Sequence, residues 1–224
     1  IVAPSESARD EIVTLLRIPA TQIDVVHNGL GQMFRAGGRK TAHPSIVAVG
    51  RLVPVKRHDL LLRAAAVARA SVPDLTLTIV GEGYERERLD AVIRDLDADS
   101  WVHLTGRVSE ADLVHLYQQA WVAASASARE GWGLSLTEAA ACGTPAVATR
   151  IAGHTDAVRE DVSGLLTDAT SADLGRALAR MLSDEALRSR LRAGALDRAS
   201  ALSWESTALG VMRTLAGQAA LHPR

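Results

Sequence analysis

Short apolar runs alternate along this chain with longer segments in which apolar residues return every three or four positions. The runs are "SIVAVG" (45–50), "LTLTIVG" (75–81), "WVHLTG" (101–106), "WVAAS" (121–125), "PAVAT" (145–149) and a brief "GLLT" (164–167). Unbroken apolar runs of this length mark strands buried on both faces, as in parallel sheets. The intervening segments "HDLLLRAAAVARA" (58–70), "YERERLDAVIRDL" (84–96) and "SEADLVHLYQQA" (109–120) have helical spacing, the last with Ser109 as N-cap. A helix is also predicted to start near Gly133 or Leu134, and beyond residue 168 only helices follow, over roughly 171–182, 184–200 and 203–218, expected to cover one sheet face. Together these elements predict a Rossmann-like α/β domain of three layers, α/β/α, around a parallel sheet of about six strands.

The first forty residues break the alternation. "PSESARDEIVTLL" reads as a capped helix, "IDVVH" (23–27) as a strand, and "NGLGQMFRAGGRKTAHP" (28–44) as a Gly-rich, basic connection. We expect residues 1–29 to be the tail of a preceding domain, 30–44 a linker and 45–224 the main domain. The opening Ile1 and the mid-pattern start fit a piece of a longer protein.

Composition narrows the function. A net charge of -1, with 25 Lys and Arg scattered among 26 acids, gives no concentrated basic face for nucleic acid or for a polybasic membrane contact. The single Cys142 rules out an intramolecular disulfide and fits a reducing compartment. His27, His43, His58, His103, His115, His154 and His222 lack metal-ligand spacing, so no metal site is expected and most of them are read as surface or strand-end residues; His154 is the exception by position, because its loop "IAGHTDAV" leaves the same sheet edge as Glu130 and Glu138. There is no apolar run of membrane length.

Three loops carry candidate chemistry, and each lies where a strand hands over to a helix, the edge at which open α/β sheets bind ligands. In "GRLVPVKRHDLLL" (50–62), Arg51 and Lys56 form either an anion pocket beside a helix N-terminus or two solvated loop cations. "VGEGYERERL" (80–89) lacks the third glycine of a dinucleotide fingerprint; we read it as a tight turn with Glu85, Arg86, Glu87 and Arg88 on a solvated face. In "REGWGLSLTEAAACGTPAVAT" (129–149), a Gly-Trp-Gly turn opens the helix N-terminus, whose amides can cradle a diphosphate. Glu138, about one turn into that helix, is either a diol acceptor for a ribose or an acid favoured by the helix dipole. Glu130 either reaches the other end of the same ligand or faces solvent. Ser135 lies in "GLSLT", so there is no nucleophile elbow.

Taken in order, "VGRLVPVKRHDLLLRAAA", "LTIVGEG", "VHLTGRVSEADLVHLYQQAWVAASAS" and "EGWGLSLTEAAACGTPAVAT…GLL" resemble family 4 of the retaining glycosyltransferases, the group 1 glycosyl transferases of GT-B fold. The resemblance covers almost the whole chain and includes the Glu-x(7)-Glu spacing of Glu130 and Glu138. It implies the C-terminal, donor-binding half of such an enzyme. Arg51 and Lys56 would then hold the diphosphate of a UDP- or GDP-linked hexose in place of a metal ion, with Glu130 contacting the sugar near the reacting carbon. Glu138 would bind the ribose, Gly133, Leu134 and Ser135 would offer amides to the phosphates, and Arg107 and Val108 would mark the turn holding the base. The resemblance also implies a partner in the protein's own N-terminal acceptor domain, a cytoplasmic location, and a full-length enzyme able to touch the inner face of a membrane. The acceptor would be a glycan, a lipid or a small molecule.

Two features depart from the family pattern. Arg57 follows Lys56 where Gly is common, and His154 and Asp156 in "IAGHTDAVRED" stand where Gly and Glu are frequent. A binding module without turnover is the alternative function. A Rossmann dehydrogenase is not, because the glycine fingerprint is missing.

Overall fold

The computed structural model describes residues 1–221; His222, one of the histidines without metal-ligand spacing, lies outside them. Each predicted run of the main domain becomes a strand, trimmed by at most one residue at either end. The strands are β3 (Ser45–Val49), β4 (Thr76–Val80), β5 (Val102–Gly106), β6 (Val122–Ser125), β7 (Ala146–Thr149) and β8 (Gly164–Thr167), while β1 (Val2–Ala3) and β2 (Asp24–Val25) form a separate two-stranded sheet. The six pair in parallel in the order β5-β4-β3-β6-β7-β8, with Ile46 opposite both Leu77 and Val122. This is the Rossmann-like parallel sheet that the alternation predicts.

The helices are α1 (Glu6–Leu16), α2 (His58–Arg69), α3 (Arg86–Asp95), α4 (Glu110–Gln119), α5 (Leu134–Ala141), α6 (Ala152–Ala157), α7 (Ser171–Ser183), α8 (Glu185–Ser200) and α9 (Trp204–Leu221). Ser109 caps α4 as expected, its hydroxyl accepting from the amide of Asp112 at 3.2 Å. Successive strand residues point to opposite faces. Ile46, Ala48, Leu77, Ile79, Val122 and Val147 therefore build one core with α2, α3 and α7. Val47, Ala123, Ala146 and Ala148 build a second with α4, α5 and α6.

Two elements differ from expectation. The "IAGHTDAV" segment, read as a loop, contains α6, a helix of six residues and too short to show a helical period. The helices after residue 171 do not all cover one face. Leu187 and Leu191 of α8 belong to the first core, whereas its Ala195 and Ala199 pack with Leu30, Trp132 and Ala140. In α9, Leu209, Met212 and Leu215 are exposed, and Gly210 meets Val26 beside β2.

Residues 1–29 are docked on the main domain. Ser5 caps α1 and its hydroxyl also donates to the Gly131 carbonyl at 2.9 Å. The Asp156 carboxylate accepts from the Ser7 amide at 3.2 Å and from the Ser7 hydroxyl, while Glu11 pairs with Arg129.

Candidate functional site

The strand order reverses between β3 and β6, and the chain leaves these neighbours toward opposite faces of the sheet. A crevice therefore opens at their carboxyl ends. Its first wall is the loop 50–57. The Leu52 amide donates to Glu82 O at 2.8 Å, the Glu85 amide donates to Leu52 O at 3.1 Å, and the His58 Nε2 lies 3.3 Å from Arg51 O. Glu85 is accordingly buried, with its carboxylate on Arg88, which corrects the reading of that acid as solvated. Only Arg86, Glu87 and Arg88 of that group are exposed. The loop closes on Arg57 in the left-handed region (φ 48°, ψ 44°), the conformation that favours glycine.

The second wall is the loop after β6. Its Ala128 amide donates to Val55 O at 2.8 Å, which stitches the walls together at the base of the crevice. Above that bond Lys56 forms an ion pair with Glu130, and Ser127, buried, donates its hydroxyl to the same Glu130 oxygen at 2.8 Å. Both partners are about one fifth exposed, at 20% and 18%, so the pair is reachable from solvent yet partly desolvated. Arg51 is exposed on the same edge, and its side chain makes no hydrogen bond or ion pair among the described residues.

Glu130 leads directly into the N-terminus of α5. Gly133 is the cap, in a left-handed conformation (φ 91°) that brings its amide and the next two toward the crevice. Leu136 and Thr137 donate back to Gly133 O, whereas the amides of Gly133, Leu134 and Ser135 have no acceptor among the described residues. Three unpaired N–H groups and the positive end of the helix dipole make this an anion-receiving surface. The turn stands upright because Gly153 of α6 lies against the Glu130 backbone, where a Cβ would collide.

Glu138 lies further along α5, turned toward α4. Its carboxylate accepts from the Tyr117 hydroxyl at 2.9 Å, and burial raises its pKa while that hydrogen bond lowers it. Tyr117 is itself buried. Gly106 ends β5 in a left-handed turn, followed by exposed Arg107 and half-buried Val108, on the same carboxyl edge but two strands from β3. Lys56, Glu130 and the three amides are thus brought together. Glu138 is held by Tyr117 of α4, and Arg107 and Val108 sit at the end of β5, with Val108 packed against the apolar cluster that includes Tyr117 and Leu136.

Four residues of the site region have roles that local reading misses. Ser127 fixes Glu130, Tyr117 fixes Glu138, His58 props the first loop, and His154 lies beneath the second. His58 is buried, which corrects its placement with the surface histidines, and His154, singled out by its position, is buried as well. The His154 Nδ1 sits 2.8 Å from Thr149 O, and its Nε2 is buried without a partner. The Asp156 carboxylate is taken up by Ser7 of α1, from which it accepts. Tyr117 and Ser127 carry no local signal, because each acts on an acid in another part of the fold.

The family described as Glycosyl transferases group 1 matches residues 32–198. The chain is 34% identical to a D-inositol 3-phosphate glycosyltransferase of Frankia alni over 96% of its length and 58% of the relative's. It is 35% identical to the enzyme of that name from a Nocardioides species over 93% of its length and 51% of the relative's. The chain therefore spans about half the length of the curated relatives it matches. Among solved structures, sucrose-phosphate synthase from Thermosynechococcus elongatus superimposes with a TM-score of 0.86 at 23% identity, over 98% of this chain and 58% of that one. Anabaena HepE in complex with UDP gives 0.85 at 22% identity, over 96% of this chain and 63% of that one. The structural likenesses show a shared glycosyltransferase fold, and the family match and the relatives agree with it: the chain belongs to the glycosyl transferases group 1 family.

Proposed function

We propose that this chain is the donor-binding half of a retaining hexosyltransferase, which moves a hexose from a UDP- or GDP-sugar to a glycan, lipid or small-molecule acceptor. The observation that carries the reading is the Lys56–Glu130 pair spanning the crevice beside the three unpaired amides of Gly133, Leu134 and Ser135. The diphosphate rests on those amides, and Arg51 and Lys56 neutralise it as it leaves, so that no metal ion is needed. Glu130 turns its free oxygen toward the sugar. Glu138 keeps Tyr117 on one oxygen and offers the other to the ribose, and Arg107 and Val108 border the base.

The difficult step is departure of a diphosphate while positive charge grows on the sugar. Fixed cations and amides stabilise that separated charge more than they stabilise the bound donor. Losing one such donor costs about 3–4 kcal/mol in the transition state. UDP bound to HepE supports a nucleotide-sugar donor. The acceptor side belongs to a preceding domain of the same protein, a cytoplasmic enzyme able to meet the inner face of a membrane. A chain of half the relatives' length favours a second reading for the isolated piece, a binding module without turnover.

Thermal unfolding with UDP, GDP, ADP and their sugars tests the assignment. A ligand at 100 times its Kd adds about 2.7 kcal/mol, which is roughly 5–10 °C for a chain of this size. The shift is expected for one base and should shrink in Lys56→Ala and Glu138→Ala. No shift with any nucleotide sinks the donor site, and equal shifts in wild type and both variants sink the residue roles. Sugar transfer by the isolated chain would overturn the half-enzyme reading.

A further inference from the structure

At the opposite edge of the sheet, before β6 and β7 begin, lies a cavity of about 270 Å³ bordered by Lys40, Trp121, Gly143, Glu185, Arg188 and Arg192. Three cations face one acid there, and none of the four belongs to an ion pair among the described residues. Lys40 donates to Ala120 O and to Thr144 Oγ1, both at 2.6 Å, which leaves one ammonium N–H unspent. The Arg188 guanidinium lies 4.2 Å over the Trp121 ring and uses Nη1 on Met181 O and Leu182 O, both at 3.0 Å. Arg192, one turn further along α8, makes no hydrogen bond among the described residues, and its Nε stands 3.1 Å from where a Cβ on Gly143 would be.

Helix ends account for part of this charge. Lys40 and Arg188 meet carbonyls at the ends of α4 and α7, each worth about half a negative charge. Arg192 is engaged by no such group. The cluster therefore sets three cations against Glu185 and the adjoining Asp184, both of which act on Arg188, and an excess of positive charge remains among the described residues. It also acts on its own members, because burial and then the neighbouring Arg192 push the Lys40 ammonium down to about 8. Unspent N–H groups from three side chains converge on a cavity large enough for a small ligand, and two of those side chains present the fork that matches oxyanions.

We infer that this cavity is a site for a phosphate-type dianion, either inorganic phosphate or the phosphate of a monoester, held by Lys40, Arg188 and Arg192. The site is independent of the donor crevice, which lies at the other end of the strands. The dianion offsets the excess positive charge and takes the donors that the helix ends leave free.

Inorganic phosphate and the tryptophan indole N–H signals of the whole chain in ¹⁵N-correlated NMR test this. The Trp121 Nε1–H donates to Thr41 O at 2.9 Å beneath Arg188, whereas Trp132 follows Glu130 by two residues in the donor loop. Phosphate should shift the Trp121 signal saturably, and Arg192→Gln, at an exposed position, should weaken that response about tenfold, the loss expected of one charge-assisted contact. Lys56→Gln should leave it unchanged. Sedimentation with phosphatidylcholine vesicles carrying phosphatidic acid distinguishes a headgroup from a soluble ligand: binding lost in Arg192→Gln assigns the phosphate to a lipid. A response confined to Trp132, or Trp121 shifts and vesicle binding that are both unchanged in Arg192→Gln, overturns the inference.

Discussion

Glu138 carries two opposing demands. Burial between α4 and α5 favours its protonated form, while the proposed ribose contact needs the carboxylate. Because its folded pKa is raised above the ordinary 4.5, its contribution to stability is present at low pH and lost as pH rises through the folded value. Glu138→Gln should therefore raise the melting temperature at pH 7, the gain vanishing well below pH 4.5, while weakening nucleotide binding. Calorimetry at both pH values, with and without nucleotide, checks both halves. Arg57 poses a simpler case. A left-handed non-glycine residue costs about 1–2 kcal/mol, part of which glycine returns as chain entropy. Arg57→Gly should stabilise the chain by about 0.5–1 kcal/mol in urea denaturation.

At the scale of elements, α5 is the part whose placement matters most. Its cap needs the left-handed turn at Gly133, where a Cβ would stand 3.2 Å from that of Ala157 and 3.4 Å from the His154 ring. Gly133→Ala should cost about 1–2 kcal/mol in urea denaturation and lower nucleotide affinity by swinging the three amides away. An unchanged affinity would mean that the amides do not hold the phosphates. The strands and long helices were legible from hydrophobic period alone, because burial on two faces demands continuous apolar runs. Helix α6 was not, since six residues show no period and its packing partner, the Glu130 loop, lies more than twenty residues earlier in the chain.

Across the whole molecule, the two buried histidines set a pH limit. Burial lowers both His58 and His154 below the ordinary 6.5, more than their hydrogen bonds to Arg51 O and Thr149 O raise them. Their contribution to stability is thus full above pH 6.5 and is lost as pH falls, because the unfolded chain takes up protons that the folded one resists. The slope reaches about 1.4 kcal/mol per pH unit for each histidine. Urea midpoints at pH 7.5 and 5.5 should differ in wild type, and the gap should narrow in His58→Asn and in His154→Asn.

By itself the sequence determined the sheet and its covering helices, and it placed Arg51, Lys56, Glu130 and the α5 cap at strand-to-helix junctions, since hydrophobic period and glycine turns are local properties. Only the tertiary structure decided which of these residues meet. Lys56 finds Glu130 because β3 and β6, far apart in the chain, are neighbours at the point where strand order reverses. Glu138 is turned aside by Tyr117, Asp156 is claimed by Ser7, and Glu85, His58 and His154 are drawn inside. A side chain's burial and its partners depend on which distant segments pack against it, and no local pattern records that.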